Sequence, residues 1–439
     1  MAANEQAQAQ KREELGGAFD GVLLAVIVAL AAIGVVMVAS SSLAVAEGHG
    51  VDAYHYLKRH LVFLGIGLAG GIVLARTELR LLERHGSSLL LLAAVLLGLV
   101  LVPGVGREVN GATRWIDLRV FGFQSVEAVK LLLILWLASY MVRYRDQLQE
   151  RLWGVLKPMG ALALLGGLLL LQPDFGSTVL LFAIAGGMLW LGGARVGYLL
   201  APAAVGVALL GALAVFEPYR FARLIGFVNP WADPFGSGYQ LVHALIAVGR
   251  GELTGVGLGA SVQKLFYLPE AHTDFIFAVY AEETGFLGVL LLIGLFVALS
   301  ARAFWLGLQA IDMGRFFAAY CAFGVALWMS LQALVSIGVN MGLLPTKGLT
   351  LPLISSGGSS VILSCIGLAL LLRVSYETER ARRQSGRLRG EEVLDPAELL
   401  RTADATTSTA RSAAFAAAPP TLHTTGGRGR VEPRLGALP

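Results

Sequence analysis

The chain has 439 residues, 56% of them hydrophobic and 15% charged, with a mean hydropathy of +0.69. Soluble domains are about 45–50% apolar and about 25% charged, so the charges here are too few to cover soluble surfaces for a chain of this length. Two cysteines exclude a disulfide scaffold, and the net charge of +4 acquires meaning only from where the basic residues lie. What remains is an all-α polytopic membrane protein.

A spanning helix needs about 20 mostly apolar residues. In chain order, such segments are predicted over residues 21–42, 60–76, 86–103, 126–143, 159–172, 176–192, 196–216, 275–299, 316–343 and 353–373, about ten transmembrane helices in all. The first has an apolar run of about 21 residues, too long for the 7–15-residue core of a signal peptide, and reads as an uncleaved helix. The fifth is short and enters the sixth through the tight turn Gln172-Pro173-Asp174-Phe175-Gly176, with Pro and Gly as breakers. Cys321 and Cys365 sit in apolar runs and read as small buried hydrophobes.

Orientation follows from Lys and Arg in the short loops. Arg76, Arg80, Arg84, Arg143, Arg145, Arg151, Lys157, Arg195, Arg302 and Arg315 fall on one side, which is therefore cytoplasmic and carries both termini. Three parts follow. Residues 1–20 are a cytoplasmic N-terminal tail, and residues 21–373 are the membrane domain, with a large external loop (217–274) between helices 7 and 8. Residues 374–439 form an Arg-rich cytoplasmic tail without periodicity, predicted to be disordered.

Polar residues interrupt this pattern in three external stretches. The first runs from Asn110 through Arg114 and Trp115, which suit an amphipathic segment at the interface, to Glu127 and Lys130. Three apart at the start of the fourth helix, these two share a face, either as a structural pair or as a functional site. The second closes the large loop with Leu268-Pro269-Glu270-Ala271-His272-Thr273-Asp274. Asp274 is either the N-cap of the eighth helix or a catalytic carboxylate. Glu282 and Glu283 lie roughly 12–13 Å deeper along that helix and must face protein, water or a cation. Glu283 reads first as a bridge between helices.

Gly255-Val256-Gly257-Leu258-Gly259-Ala260, in the same loop, fits a dinucleotide-binding spacing. That motif requires a strand before it and a helix after it, so close backbone packing is the better reading, and no nucleic-acid partner is expected. The third stretch, from Asn340 through Lys347 to Ser359 and Ser360, is rich in Pro, Gly and Ser. Such irregular backbone is tolerated at membrane depth only where it is buried or lines a wet cavity.

These stretches, in this order, resemble the SEDS family (shape, elongation, division and sporulation) over residues 110–130, 172–178, 269–288 and 340–360. The segment Met341-Gly342-Leu343-Leu344-Pro345-Thr346-Lys347-Gly348-Leu349-Thr350-Leu351-Pro352 is most similar to the division-type members. The family's Q-P-[SA]-E is Gln124-Ser125-Val126-Glu127 here, its S-Y-G-G-S is Ser355-Ser356-Gly357-Gly358-Ser359, and its E-E-[LF]-G is Glu282-Glu283-Thr284-Gly285. None of these departures removes a charged group.

The resemblance implies a peptidoglycan glycosyltransferase of the bacterial inner membrane, located at the division septum with its active site facing the periplasm. It would polymerise lipid II into glycan strands beside a class B penicillin-binding protein, other divisome proteins and membrane lipids. The family's catalytic aspartate, the Asp of H-T-D-F, falls on Asp274, with His272 beside it.

Lipid II carries its sugar on a pyrophosphate, a good leaving group, so one general base suffices where a glycosidase needs two carboxylates. Lys130, Arg114 and Lys347, with Glu127 beside them, are the candidates for meeting the pyrophosphate charge. Glu283, Asn340 and Ser359 are the polar groups expected to support the site. No metal-ligand cluster is visible, so a divalent cation, Mg or Mn, would be held mainly by the pyrophosphate. The alternatives are a lipid II flippase, an elongation-type polymerase or a non-catalytic scaffold.

Overall fold

The computed structural model describes residues 17–48, 50–109, 111–117, 122–216, 226–265, 267–346 and 348–388. Its helices are α1 (Gly21–Gly48), α2 (His55–Arg76), α3 (Leu79–Arg84), α4 (Gly86–Val100), α5 (Ser125–Arg143), α6 (Arg145–Glu150), α7 (Leu152–Leu171), α8 (Phe175–Leu191), α9 (Val196–Phe216), α10 (Tyr239–Arg250), α11 (Ile276–Asp312), α12 (Phe316–Asn340) and α13 (Gly358–Leu388). Seven of them (α1, α2, α5, α7, α11, α12 and α13) are long and apolar enough to cross a membrane. Three shorter apolar helices occupy the other predicted spans.

The helices divide by burial. α5, α12 and α13 are buried over most of their circumference and form the centre, where Trp328, Ile134 and Leu370 are inaccessible. α1, α2, α7 and α11 bury only a stripe and turn apolar side chains such as Ile66, Leu164 and Leu290 outward, as helices facing lipid do. α2 approaches α13 through Gly67 and Gly71, where a Cβ would lie 3.0 Å from Cys365 Cβ and 3.1 Å from Ala369 Cβ. Small residues four apart let two backbones approach in a membrane, where lipid offers no hydrophobic driving force for helix association.

Helix starts obey local chemistry. Asp20 accepts the Leu23 N–H (3.0 Å), and its other oxygen accepts from Arg302 Nε (2.6 Å), joining the start of α1 to α11. Asp174 caps α8 through the Ser177 N–H (3.2 Å), closing the predicted Gln172–Gly176 turn.

Several expectations need correction. α7 begins at Leu152, so the fifth span is not short. The stretch around Arg114, read as an amphipathic segment with no secondary structure assigned, is a three-stranded antiparallel sheet, β1 (Gly106–Val109), β2 (Ala112–Asp117) and β3 (Gly122–Gln124). In it Trp115 pairs with Arg107 and with Gln124. α13 begins at Gly358, leaving 353–357 to the preceding irregular segment. It continues to Leu388, where a tail had been expected from 374. One compact unit runs to Arg382, and the described part of the second, from Arg383, is helical. Residues 1–16 and 389–439, the outer parts of both tails, lie outside the described residues.

α11 is the irregular spanning helix. Gly285 has φ +66° and ψ −167° inside it, which breaks the i→i−4 ladder and frees backbone groups on both sides. The large loop satisfies them. Val256 and Gly257 donate to the carbonyls of Glu282 and Glu283 (3.0 and 3.1 Å), and Phe286 and Leu287 donate to those of Glu252 and Leu253 (2.9 and 3.1 Å). The backbones approach so closely that a Cβ on Gly285 would stand 2.2 Å from Gly255 N, and one on Gly255 2.2 Å from the Glu283 oxygen. Within the glycine-rich run Gly255 makes the close backbone contact, whereas Gly257 and Gly259 have open space where a Cβ would stand, and all three take positive φ.

Candidate active site

Asp274 is the last residue of the large loop before Phe275 and α11. The N-cap position of α11 is Phe275, which carries no side-chain capping bond, so Asp274 stands one residue ahead of the cap. Its half-buried side chain is set by the backbone around it, which is held from two directions.

From α12, the fully buried Asn340 donates through Nδ2 to the Asp274 carbonyl (3.0 Å) and the Ser336 carbonyl (2.8 Å). Its Oδ1 accepts the Ala278 N–H (3.1 Å). Ala278 lies in the first turn of α11, and its N–H is shared between the Phe275 carbonyl (3.1 Å) and Asn340, which thus supports that helix start from a neighbouring helix. From the irregular segment before α13, Ser355 Oγ donates to the Thr273 carbonyl (2.7 Å), and the Ser356 N–H donates to the His272 carbonyl (2.9 Å). Gly348 of the same segment packs on the carboxylate itself, with a Cβ there lying 3.0 Å from Asp274 Oδ2. The His272 ring packs 5.0 Å from that of Tyr56 on α2. Lys347 lies outside the described residues.

A second polar cluster sits under the same segment. Lys130 Nζ donates to Glu127 Oε1 (2.8 Å) and Gln332 Oε1 (2.6 Å) and lies 5.2 Å from the Trp328 ring centroid. Trp328 Nε1 also donates to Gln332 Oε1 (2.7 Å). Gln332 Nε2 donates to the Thr350 carbonyl (2.9 Å), and Thr350 Oγ1 to Ser360 Oγ (2.8 Å). Ser359 Oγ accepts the Gln124 N–H (2.9 Å), fastening the sheet's last strand to α13. Lys130 and Glu127 are both almost wholly buried, and Glu127 Oε2 makes no hydrogen bond among the described residues. Such a burial is stable only as a pair. The segment therefore touches Asp274 at Gly348 and the Lys130 network two residues later at Thr350.

Two predicted residues lie elsewhere. Arg114 donates to the carbonyls of Gln172 (3.4 Å) and Pro173 and lies 3.9 Å from Asp174, so the structure brings it to the α7–α8 turn rather than to Lys130. Glu283 bridges elements, as read from sequence: Lys264 Nζ donates to its Oε1 (2.7 Å) and to Ser40 Oγ (2.9 Å), and the Ser40 hydroxyl is 2.7 Å from both of its oxygens. Glu282, next to it, takes Arg250 (2.9 Å), Ser261 Oγ and the Val262 N–H (3.2 Å). The two neighbouring carboxylates thus clasp the loop that ends at Asp274.

Gln332, Lys264 and Ser40 were not singled out from sequence. A glutamine in the middle of an apolar helix was the available signal for the first. The other two carry none outside their spatial partners. Among the described residues no group of three or more His, Cys, Asp or Glu side chains is placed to hold a metal ion.

A family model described as "Cell cycle protein" (FtsW/RodA/SpoVE) matches residues 21–380. The chain belongs to this SEDS family. It is 55% identical to a protein of Xanthomonas oryzae pv. oryzae named "Probable peptidoglycan glycosyltransferase FtsW", over 87% of this chain and 78% of that one. It is 46% identical to a protein of the same name from Coxiella burnetii, over 84% of this chain and all of that one.

Among solved structures, it superposes with a TM-score of 0.67 and 33% identity on a chain described as "Structural coordination of polymerization and crosslinking by a peptidoglycan synthase complex", over 82% of this chain and 98% of that one. It also superposes with a TM-score of 0.60 and 32% identity on the Thermus thermophilus rod shape determining protein RodA, over 82% and 97%.

Proposed function

We propose that this protein is a peptidoglycan glycosyltransferase that polymerises lipid II into β-1,4 glycan strands for septal wall synthesis in the bacterial inner membrane. The observation that carries the reading is the Asp274 carboxylate, half-buried at the end of the large loop, with its backbone fixed by Asn340 and its oxygen against Gly348. The division-type assignment is supported by the identity to relatives named FtsW.

In the reaction, Asp274 takes the proton of the acceptor GlcNAc 4-hydroxyl as that oxygen bonds to the donor's anomeric carbon. The bond from that carbon to the pyrophosphate oxygen breaks, and its electron pair leaves with the lipid pyrophosphate. Attack opposite the leaving group converts the α-linked donor to a β linkage. Positive charge is needed where the pyrophosphate accumulates negative charge. Arg114 is engaged by the α7–α8 turn and Lys130 by Glu127 and Gln332, so this role falls first to Lys347, which precedes Gly348 in the chain, with Lys130 contributing its charge from beneath the 348–357 segment. Where a divalent cation, Mg or Mn, takes part, it would be held mainly by the pyrophosphate and would supply further positive charge there.

The large loop and Asp274 face the periplasm. The partner is a class B penicillin-binding protein, a reading supported by the superposition on a chain of a peptidoglycan synthase complex.

The test mixes purified protein and transpeptidase partner with fluorescent lipid II. The wild type makes polymer. Asp274→Asn makes none, while membrane insertion and co-purification with the partner persist. Near-normal strand synthesis by Asp274→Asn overturns the catalytic assignment. Translocation in vesicles without polymer identifies a flippase instead, and neither activity identifies a scaffold. A tagged protein in a midcell band supports the division role, and lateral patches assign it to elongation.

A further inference from the structure

The large loop carries a row of aromatic rings that the chemistry at Asp274 does not use. Tyr239 and His243, one turn apart on α10, have ring centroids 4.4 Å apart, and Tyr267 stacks on His243 at 5.9 Å with 29° between the planes. His243 Nδ1 lies 2.8 Å from Gln263 Oε1, which fixes the rotation of the imidazole. The row is not core. α10 buries Leu241, Val242, Ala244 and Ala247, whereas Tyr239 and His243 stay half-exposed and Tyr267 is 51% exposed.

Its composition also differs from the lipid-facing surface, which on α11 presents Phe286, Leu287, Leu290 and Leu291. Here flat faces carry hydrogen-bonding groups of their own, namely two phenol hydroxyls and the imidazole. An aromatic face with a polar border matches a pyranose, which offers C–H bonds on one face and hydroxyls at its edge.

The helix that carries the row packs by its opposite face against the segment that walls the reaction centre. Through Leu241 and Leu245, α10 packs on Gly342, the start of the segment whose Gly348 touches Asp274. Tyr267 precedes Asp274 by seven residues, at most about 25 Å of extended chain. We propose that Tyr239, His243 and Tyr267 form a stacking subsite for a pyranose of the growing glycan strand, holding it near Asp274 between additions. This inference rests on the polymerase reading above.

The test uses the full-length protein with its transpeptidase partner and follows strand-length distribution alongside the initial rate of lipid II consumption. Tyr267→Leu keeps apolar bulk without the flat face, and Tyr267→Phe keeps the ring. Tyr267→Leu is expected to shorten strands about threefold to tenfold, the size of one aromatic contact, at an unchanged initial rate, while Tyr267→Phe keeps the wild-type length. Wild-type strand length in Tyr267→Leu overturns the proposal. So does equal shortening by both variants, which assigns the residue to packing. Loss of partner co-purification in Tyr267→Leu assigns the surface to the partner and overturns it as well.

A second readout needs no turnover. Asp274→Asn protein is titrated with a lipid-free GlcNAc–MurNAc tetrasaccharide, and saturable binding weakened by adding Tyr267→Leu is expected. Equal binding with and without that change overturns the subsite. A wild type that makes no polymer defeats the polymerase reading, and the titration still decides the subsite.

Discussion

Gly348 and Asp274 approach so closely that a Cβ on the glycine would lie 3.0 Å from the carboxylate oxygen Oδ2. The irregular segment between α12 and α13 is thus one wall of the candidate site, and its fit depends on the missing side chain. Gly348→Val is expected to push the segment and the carboxylate apart. It should lower lipid II polymerisation at least about tenfold, about 1.4 kcal/mol of barrier, with membrane insertion intact. Rates on fluorescent lipid II with matched protein amounts check this, and a wild-type rate defeats it.

The Lys130–Glu127 pair separates a structural from a functional burial. Lys130→Met leaves Glu127 charged and unpaired in the interior, a loss of about 3–5 kcal/mol. The double change Lys130→Met with Glu127→Leu removes both charges and should recover much of that stability. Thermal unfolding in detergent reads the stability of both variants, and strand synthesis reads their activity. Recovery of stability without synthesis supports a role for the lysine charge at the pyrophosphate, and recovery of both makes the pair structural.

Gly285 is expected to be intolerant for reasons of backbone geometry. Its φ of +66° and the 2.2 Å approach of a Cβ to Gly255 N leave no strain-free place for alanine. Gly285→Ala should lose about 1–3 kcal/mol from backbone strain alone and expose the loop near Gly255 to protease. Gly294→Ala in the same helix is the control. A Cβ there meets nothing within 4 Å, and the change should be neutral or stabilising by up to about 1 kcal/mol. Limited proteolysis and thermal unfolding of the two variants side by side check the contrast.

Asp274, Asn340, Glu127 and Lys130 were visible in the sequence because a charge or amide beside or within an apolar run is expensive unless it has a partner or a task. Their partners were not visible. Lys130 meets Gln332 across 202 residues, and Glu283 meets Ser40 across 243. Helix periodicity gives the face of one helix and says nothing about which other face it meets. The sheet around Arg114 was missed because its strands are short and their pairing is decided by neighbours rather than by a long alternating pattern.

The sequence alone determined the membrane class and located the apolar helices but not their bounds, since α7 begins at Leu152 rather than 159 and α13 at Gly358 rather than 353. A bilayer offers the backbone no hydrogen-bonding partner, so every crossing must be a self-satisfied run of about 20 apolar residues, which can be read one segment at a time. Only the tertiary structure decided that α11 breaks at Gly285, that the large loop repairs the break, and that Gly348 and Thr350 join Asp274 to the Lys130 network. Those outcomes depend on which distant groups arrive within hydrogen-bonding distance of each other, and no local pattern encodes that.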